Sequence, residues 1–160
     1  MKYVLLLLTL CVSTSYAEII NPHSLPQGAV GILQVEHLTR GELLWLQGRV
    51  GEGRYTTLNK AGQHCSIKIP VAIGQMEKSG LGIASVNGLS IIVMNPQLSS
   101  ALINGERVNR DEWHFAALAD NQSADAYIVN GINDNEGFVL NSRRRWISWL
   151  LEDKPELQCQ

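Results

Sequence analysis

The sequence has little excess charge of either sign. Among its 160 residues, 13 Lys and Arg stand against 15 Asp and Glu, for a formal net charge of −2. A nucleic-acid-binding domain usually carries a strong basic excess, and a disordered chain combines low hydrophobicity with high net charge. Here 45% of the residues are hydrophobic. The composition therefore predicts a folded domain that does not bind nucleic acid.

The sequence also lacks the compact motifs of metal, nucleotide and hydrolase sites. Its three cysteines and four histidines form no Cys-x-x-Cys or His-x-x-x-His pair, which are usual zinc-binding spacings. It contains no Gly-x-Ser-x-Gly elbow, no Walker loop and no dinucleotide fingerprint. We therefore predict no metal and no cofactor, and the sequence favours a protein without catalytic activity.

The hydrophobic run near the N-terminus is too short to cross a membrane. Residues 4–12 make up about half of the roughly 20 residues that a transmembrane helix needs. The run follows Lys2 and precedes small or polar residues that end at Ala17, which is typical of a secretory signal peptide. We predict that residues 1–17 are cleaved and that residues 18–160 form one globular domain, periplasmic or secreted, with no membrane span.

Two cysteines remain once the predicted signal peptide, which contains Cys11, is removed. Cys65 and Cys159 would then meet an oxidising compartment, where paired thiols become disulfides. The alternative, a nucleophilic Cys65 assisted by His64, is disfavoured because adjacent residues in a strand point to opposite faces. We predict a Cys65–Cys159 disulfide that contributes on the order of 4–5 kcal/mol to stability.

Hydrophobic alternation predicts a mainly β fold, with an antiparallel sheet that fits a small sandwich or an OB-type barrel and with one or two short helices. A β-rich α+β fold is the alternative. The clearest alternation with a period of two is at residues 64–71, typical of a strand with one buried face. Further strands are predicted at residues 30–38, 43–50, 54–58, 82–86, 89–94, 124–130 and 138–140.

Turn and cap residues predict how these strands connect. Asn87-Gly88 and Asn104-Gly105 are hairpin dipeptides, and a third hairpin turn is expected at residues 39–42. Asn95 can cap a short helix over residues 96–101. The segments 110–119 and 143–152 fit either a helix or a strand, and helix is favoured for the first because Asn109 precedes Glu112 by three residues.

Two features indicate a binding surface. Arg143, Arg144 and Arg145 place three cations together in a mildly acidic chain, and guanidinium groups bind carboxylates and phosphates bidentately. Trp45 is expected on the more exposed face of its strand, and tryptophan is enriched at interface hot spots. We predict an exported bacterial protein that acts by protein–protein recognition in the periplasm, most concretely an inhibitor or immunity-type partner of an envelope-targeting enzyme.

Other partners and functions remain open at this point. The arginines would also suit an anionic envelope polymer. A hydrolase of envelope polymers could use His114 with Glu112 or Asp111 as acid and base, provided that they converge in a cleft. Glu36-His37 also brings a carboxylate near an imidazole, a pattern typical of a solvated face. A secreted adhesin or toxin-subunit module could bind glycans through exposed tryptophans. The sequence does not specify an oligomeric state.

Overall fold

A computed structural model describes residues 26–43, 46–76, 82–118, 123–133, 136–142 and 156–160 of the chain. The predicted signal peptide, Trp45, the three arginines and the segment 143–152 lie outside the described residues. Within that part of the chain the elements are β1 (Gly31–Leu43), β2 (Leu46–Leu58), β3 (His64–Met76), β4 (Gly82–Val93), α1 (Pro96–Asn104), β5 (Val108–Asn109), β6 (Phe115–Ala117), β7 (Ala126–Asn130), β8 (Gly137–Leu140) and β9 (Gln158–Cys159).

The strands form one sheet in the order β5-β8-β3-β2-β1-β4-β7-β6, with β9 paired to β3. Every pairing is antiparallel except that of β6 with β7. The sheet is strongly curled into a half-barrel, which confirms the predicted mainly antiparallel β fold with a short helix. The helix found in the described residues is too short to span a bilayer.

Strands β1 and β2 are longer than the sequence predicted, because the turn expected at residues 39–42 and the break between the predicted strands 43–50 and 54–58 both lie inside strands. Residues 39–42 pair along β2, and the glycines at 51 and 53 pair along β3. A Cβ at Gly51 would lie 2.9 Å from Leu38, and one at Gly53 would lie 2.8 Å from Leu33. These glycines therefore make room for core side chains of β1 and do not form a turn.

The predicted Asn87-Gly88 hairpin is also wrong, because β4 continues through it and pairs with β1 along its length. The described glycines with positive φ are Gly28, Gly62, Gly105 and Gly131, so Gly88 does not adopt the conformation of a type I′ turn. A Cβ at Gly88 would collide with the carbonyl oxygen of Val35. Glycine is needed at this position for close approach of two strands.

Helix α1 begins where the sequence predicts. The Asn95 side chain accepts a hydrogen bond from the backbone N–H of Gln97 at 2.8 Å, and proline occupies the first turn. The helix runs to Asn104, three residues beyond the prediction, and ends at Gly105 with φ of 74°. Asn104-Gly105 is therefore a helix C-terminus, and the second predicted hairpin is wrong.

The described residues of this segment, 110–118, form a turn followed by strand β6, so the helix favoured for the segment is wrong and the strand alternative is right. The Asn109 side chain does accept hydrogen bonds from the N–H groups of Asp111 and Glu112, as a helix cap would. The chain then extends, because Phe115 packs into the core and β6 pairs with β7.

The core lies between the inner, concave face of the sheet and α1. Its members are buried and apolar apart from the Tyr55 hydroxyl, which donates to Ser99 Oγ of α1 at 2.7 Å. Phe115 of β6 meets Phe138 of β8 edge to face, with ring centroids 4.8 Å apart, and this contact joins strands from the two ends of the sheet. The main inner-face residues are Leu33, Val35, Tyr55, Ile67, Ile69, Val71, Ile73, Leu89, Ile91, Val93, Ala126 and Ile128.

Cys65 and Cys159 form the predicted disulfide, which fastens β9 to the edge of β3. Cys65 is completely buried and bonded to Cys159. The structure therefore contradicts the alternative of a nucleophilic Cys65. Pro70 lies in the interior of β3. Its carbonyl accepts from the N–H of Ser142 at 3.2 Å on the flank away from β2, so its missing N–H leaves the β2–β3 ladder intact.

Candidate functional site

A β-bulge in β1 shapes the outer face of the sheet. Gln34 pairs with Arg54 but Thr39 pairs with Val50, so β1 contains one extra residue relative to β2. Glu36 and His37 are both exposed, although alternation would turn one of them inward. A bulge reorients side chains in this way and is frequent next to functional sites. Two neighbouring polar side chains therefore share the outer face.

Four polar side chains line up across the outer face beside this bulge. Ser90, Gln34, Arg54 and Lys68 are successive register partners on β4, β1, β2 and β3. Arg54 therefore stands directly opposite Lys68, an arrangement of like charges that destabilises a sheet. We call this set the cationic row.

Carboxylates lie next to the cationic row along the strands. Glu52 is two residues before Arg54 on the same face of β2, and its Oε1 lies 2.9 Å from Lys68 Nζ. Both side chains of this pair are more than half exposed, at 59% and 69%. The Arg54 side chain makes no ion pair or hydrogen bond with any residue in the described part of the chain.

These side chains surround a groove of about 670 Å³. The groove contains two acidic and two basic residues, so its net charge is close to zero. The four charged side chains are exposed and accessible to a partner. We call it the bulge groove, defined by Gln34, Glu36, His37, Glu52, Arg54, Lys68 and Ser90.

A second groove, of about 480 Å³, lies further along the same face of β2, β3 and β8. Its floor includes part of a row of glycines, one on each of four adjacent strands: Gly41, Gly48, Gly74 and Gly137 are successive register partners. In the neighbouring row Val50 is 55% exposed. The floor of this second groove thus consists of glycine backbone and small apolar side chains, while Arg107, Arg110 and Asp111 add charge to its lining.

The turn between β5 and β6 forms a third pocket, of about 480 Å³, lined by residues 110–115. It brings His114 together with Asp111 and Glu112, either of which could be its acid–base partner in the hydrolase alternative. All three are exposed, so the pocket does not exclude water as many catalytic sites do. Within the described ranges, no group of three His, Cys, Asp or Glu residues could hold a metal ion.

One strong polar interaction fixes the end of the sheet. Glu136 is buried and pairs with Arg49 of β2. The same carboxylate accepts from the backbone N–H of Asn133 at 2.8 Å. This ion pair therefore joins the loop before β8 to β2.

The partner-binding residues predicted from the sequence are not in the described set. Trp45 falls between Leu43 and Leu46, which pair at the ends of β1 and β2. Arg143, Arg144 and Arg145 follow Ser142, whose N–H bonds to Pro70, and the chain is next described where Gln158 pairs with Ser66. Ser142 and Gln158 thus both contact β3.

Sequence reasoning missed the bulge groove. Glu36-His37 was visible as a carboxylate beside an imidazole, and Lys68 lay on the polar face of the alternating segment. Their proximity to Arg54 and Glu52 depends on strand register, which no local pattern gives.

No known protein family, curated protein or solved structure matches this chain. A single fold can support many functions, so the function of this protein depends on the residues of its surface sites.

Proposed function

We propose that this is an exported bacterial protein that acts by protein–protein recognition in the periplasm, most concretely as an inhibitor or immunity-type partner of an envelope-targeting enzyme. The main support is the bulge groove, where opposed like charges and an arginine without a described ion-pair partner stand on a curled sheet. Such a local conflict with sheet stability is typical of a surface selected for binding.

The scaffold suits this role. The groove residues lie on long strands of the curled sheet, so little conformational freedom is lost when a partner binds. Arginines supply bidentate contacts to carboxylates, and we extend the proposed interface to Arg143, Arg144, Arg145 and Trp45. Leu43 and Leu46, on either side of Trp45, lie on β1 and β2, and Ser142 and Gln158, on either side of the arginine segment, contact β3.

The first test concerns export. The chain is expressed with its own N-terminus in a bacterium, and the periplasmic fraction is analysed by N-terminal sequencing. We expect a mature protein that begins at Glu18. A full-length chain retained in the cytoplasm would contradict the proposed location.

The second test concerns the partner. The mature protein is cross-linked in envelope extract and its covalent partners are identified by mass spectrometry, for the wild type and for the triple variant Arg143→Ala, Arg144→Ala, Arg145→Ala. We expect the variant to fold and to lose most of the capture of one partner. Lys60→Ala, in the exposed turn before β3, is the control. Equal capture by all three proteins would remove the arginines from the interface.

A hydrolase is the second candidate, because the pocket at residues 110–115 gathers His114 with Asp111 and Glu112. It predicts that the wild type releases soluble fragments from purified cell-wall polymer and that His114→Ala does not. Absence of release by the wild type would dismiss it. For glycan binding the support is weaker, since Trp113 is half-buried and packs on the core.

A further inference from the structure

The bulge groove carries its two kinds of charge in separate rows. Arg54 and Lys68 face each other in the cationic row. Glu52 stands two residues along β2, and the bulge turns Glu36 outward on the neighbouring strand. Two residues of a β-strand span about 7 Å. The backbone positions of the positive row and the negative row therefore lie about 7 Å apart, and the Glu52–Lys68 pair bridges the two rows at one end.

The positive row is incompletely neutralised. Lys68 is paired with Glu52, but Arg54 has no ion pair within the described ranges. A guanidinium in this position offers two parallel donors to a carboxylate, the strongest common geometry for an exposed ion pair. Across the groove, Glu36 is an exposed carboxylate that likewise makes no ion pair with a described residue.

We propose that the bulge groove docks a segment of a partner protein that carries an acidic and a basic side chain about 7 Å apart. The acidic side chain contacts Arg54 and Lys68, and the basic one contacts Glu36 and Glu52. Residues i and i+2 of an extended segment share one face at this spacing. This inference rests on the proposed function and names the chemistry of the partner.

The same charges disfavour an anionic polymer. A uniformly negative chain would pair with Arg54 and Lys68 but would bring further negative charge against Glu36 and Glu52. Such repulsion against the wrong partner is a common source of specificity. The bulge groove thus favours a protein segment of mixed charge over an anionic envelope polymer. The arginine triplet alone would suit either partner.

The test uses synthetic peptides as probes of the full mature chain. Two peptides of identical composition contain Glu and Lys either alternating, with one Thr between charges, or separated into a Glu block and a Lys block. An oligoglutamate of the same length is the third probe. Binding is followed at low ionic strength by amide chemical-shift changes in a ¹⁵N-labelled protein.

We expect the alternating peptide to shift the amides of Gln34, Glu36, Arg54 and Lys68 and to bind about fivefold more tightly than the block peptide, as one or two added surface ion pairs would give. Arg54→Ala should weaken binding of the alternating peptide about fivefold. Arg107→Ala, an exposed arginine outside the bulge groove, should leave it unchanged. Tighter binding of oligoglutamate, shifts elsewhere on the protein, or equal effects of the two variants would overturn the inference.

The cross-linking experiment in envelope extract, repeated with these two variants, distinguishes the role of the bulge groove from the proposed function. Loss of that partner by Arg54→Ala but not by Arg107→Ala supports both. Equal capture by the two variants overturns the role of the bulge groove and leaves protein–protein recognition standing. If the wild type captures no partner and the alternating peptide causes no shifts, both proposals fail.

Discussion

At the scale of single residues, the ion pair of Arg49 with Glu136 differs from that of Lys68 with Glu52 in burial. The first pair is largely enclosed, with side-chain exposures of 17% and 9%, and the second is mostly in solvent. Breaking a buried pair leaves an uncompensated charge, whereas an exposed pair is screened by water. The two pairs therefore stabilise the fold to different degrees.

Replacing Glu136 by Gln tests this difference. The amide oxygen can still accept from Asn133, but the charge of Arg49 loses its partner. We expect the free energy of unfolding to fall by about 3 kcal/mol, measured by urea denaturation. Glu52→Gln is the matched control and should change it by less than about 1 kcal/mol. Equal losses in the two variants would show that the Arg49 pair is solvated.

Tyr55 predicts a loss of stability at alkaline pH. Burial raises the pKa of Tyr55 above its ordinary value of 10.0, and hydrogen bonds with Ser99 and Thr57 offset part of that rise. The unfolded chain therefore releases this proton first, so the contribution of Tyr55 is complete below about pH 10 and is lost as the pH rises towards the raised pKa.

The variant Tyr55→Phe separates this effect from other groups. Its free energy of unfolding should be about 1 kcal/mol lower at neutral pH, because the hydrogen bond to Ser99 is lost. Above pH 10, its stability should depend less on pH than that of the wild type. Denaturation curves measured on both sides of pH 10 provide the comparison. Parallel pH profiles for the two proteins would contradict the role of Tyr55.

At the scale of elements, Gly88 and Gly48 illustrate two uses of glycine inside strands. A Cβ at Gly88 would collide with the Val35 carbonyl, while one at Gly48 would have its nearest neighbour at 3.7 Å. We expect Gly88→Ala to force β4 away from β1 and to destabilise the protein by about 3 kcal/mol. Gly48→Ala should change stability by less than about 1 kcal/mol. Thermal or urea denaturation measures both, and similar results would contradict the close approach at Gly88.

Patterns that depend on neighbours in sequence predicted elements correctly. The alternation at residues 64–71 predicted β3 because each second side chain is buried, and Asn95 predicted the start of α1 because capping is a local hydrogen bond. Asn87-Gly88 misled because the same glycine serves a turn or a close strand contact, and only the partner strand decides between them. Asn104-Gly105 misled in a similar way, since a left-handed glycine ends a helix as readily as it forms a hairpin turn.

The bulge groove lay beyond such reasoning. Arg54 and Lys68 are separated by a turn, and their opposition follows from pairing in register along β2 and β3. Glu36 joins them because of one extra residue in β1, which the sequence does not mark. The sequence could place Lys68 on a polar face, but it could not identify the neighbours of that residue.

At the scale of the whole molecule, the disulfide joins residues 94 apart in sequence. Such a bond stabilises mainly by restricting the unfolded chain, by about 4–5 kcal/mol for a loop of this length. We expect the double variant Cys65→Ser, Cys159→Ser to be less stable by up to that amount. Denaturation with and without reductant checks this, because reductant should affect only the wild type. A wild type that is insensitive to reductant would contradict the prediction.

The strand order also has a consequence for how fast the chain folds. Strands β1, β2 and β3 are consecutive in sequence and adjacent in the sheet, whereas β4, β7, β8 and β9 join its flanks from later in the chain. Contacts between distant segments slow folding, so we expect refolding on a timescale of milliseconds to seconds. If the three-strand meander forms in the transition state, substitutions within it will slow refolding, while substitutions in β7 or β8 will chiefly accelerate unfolding. Stopped-flow measurements would then reveal an order of assembly that begins with β1, β2 and β3.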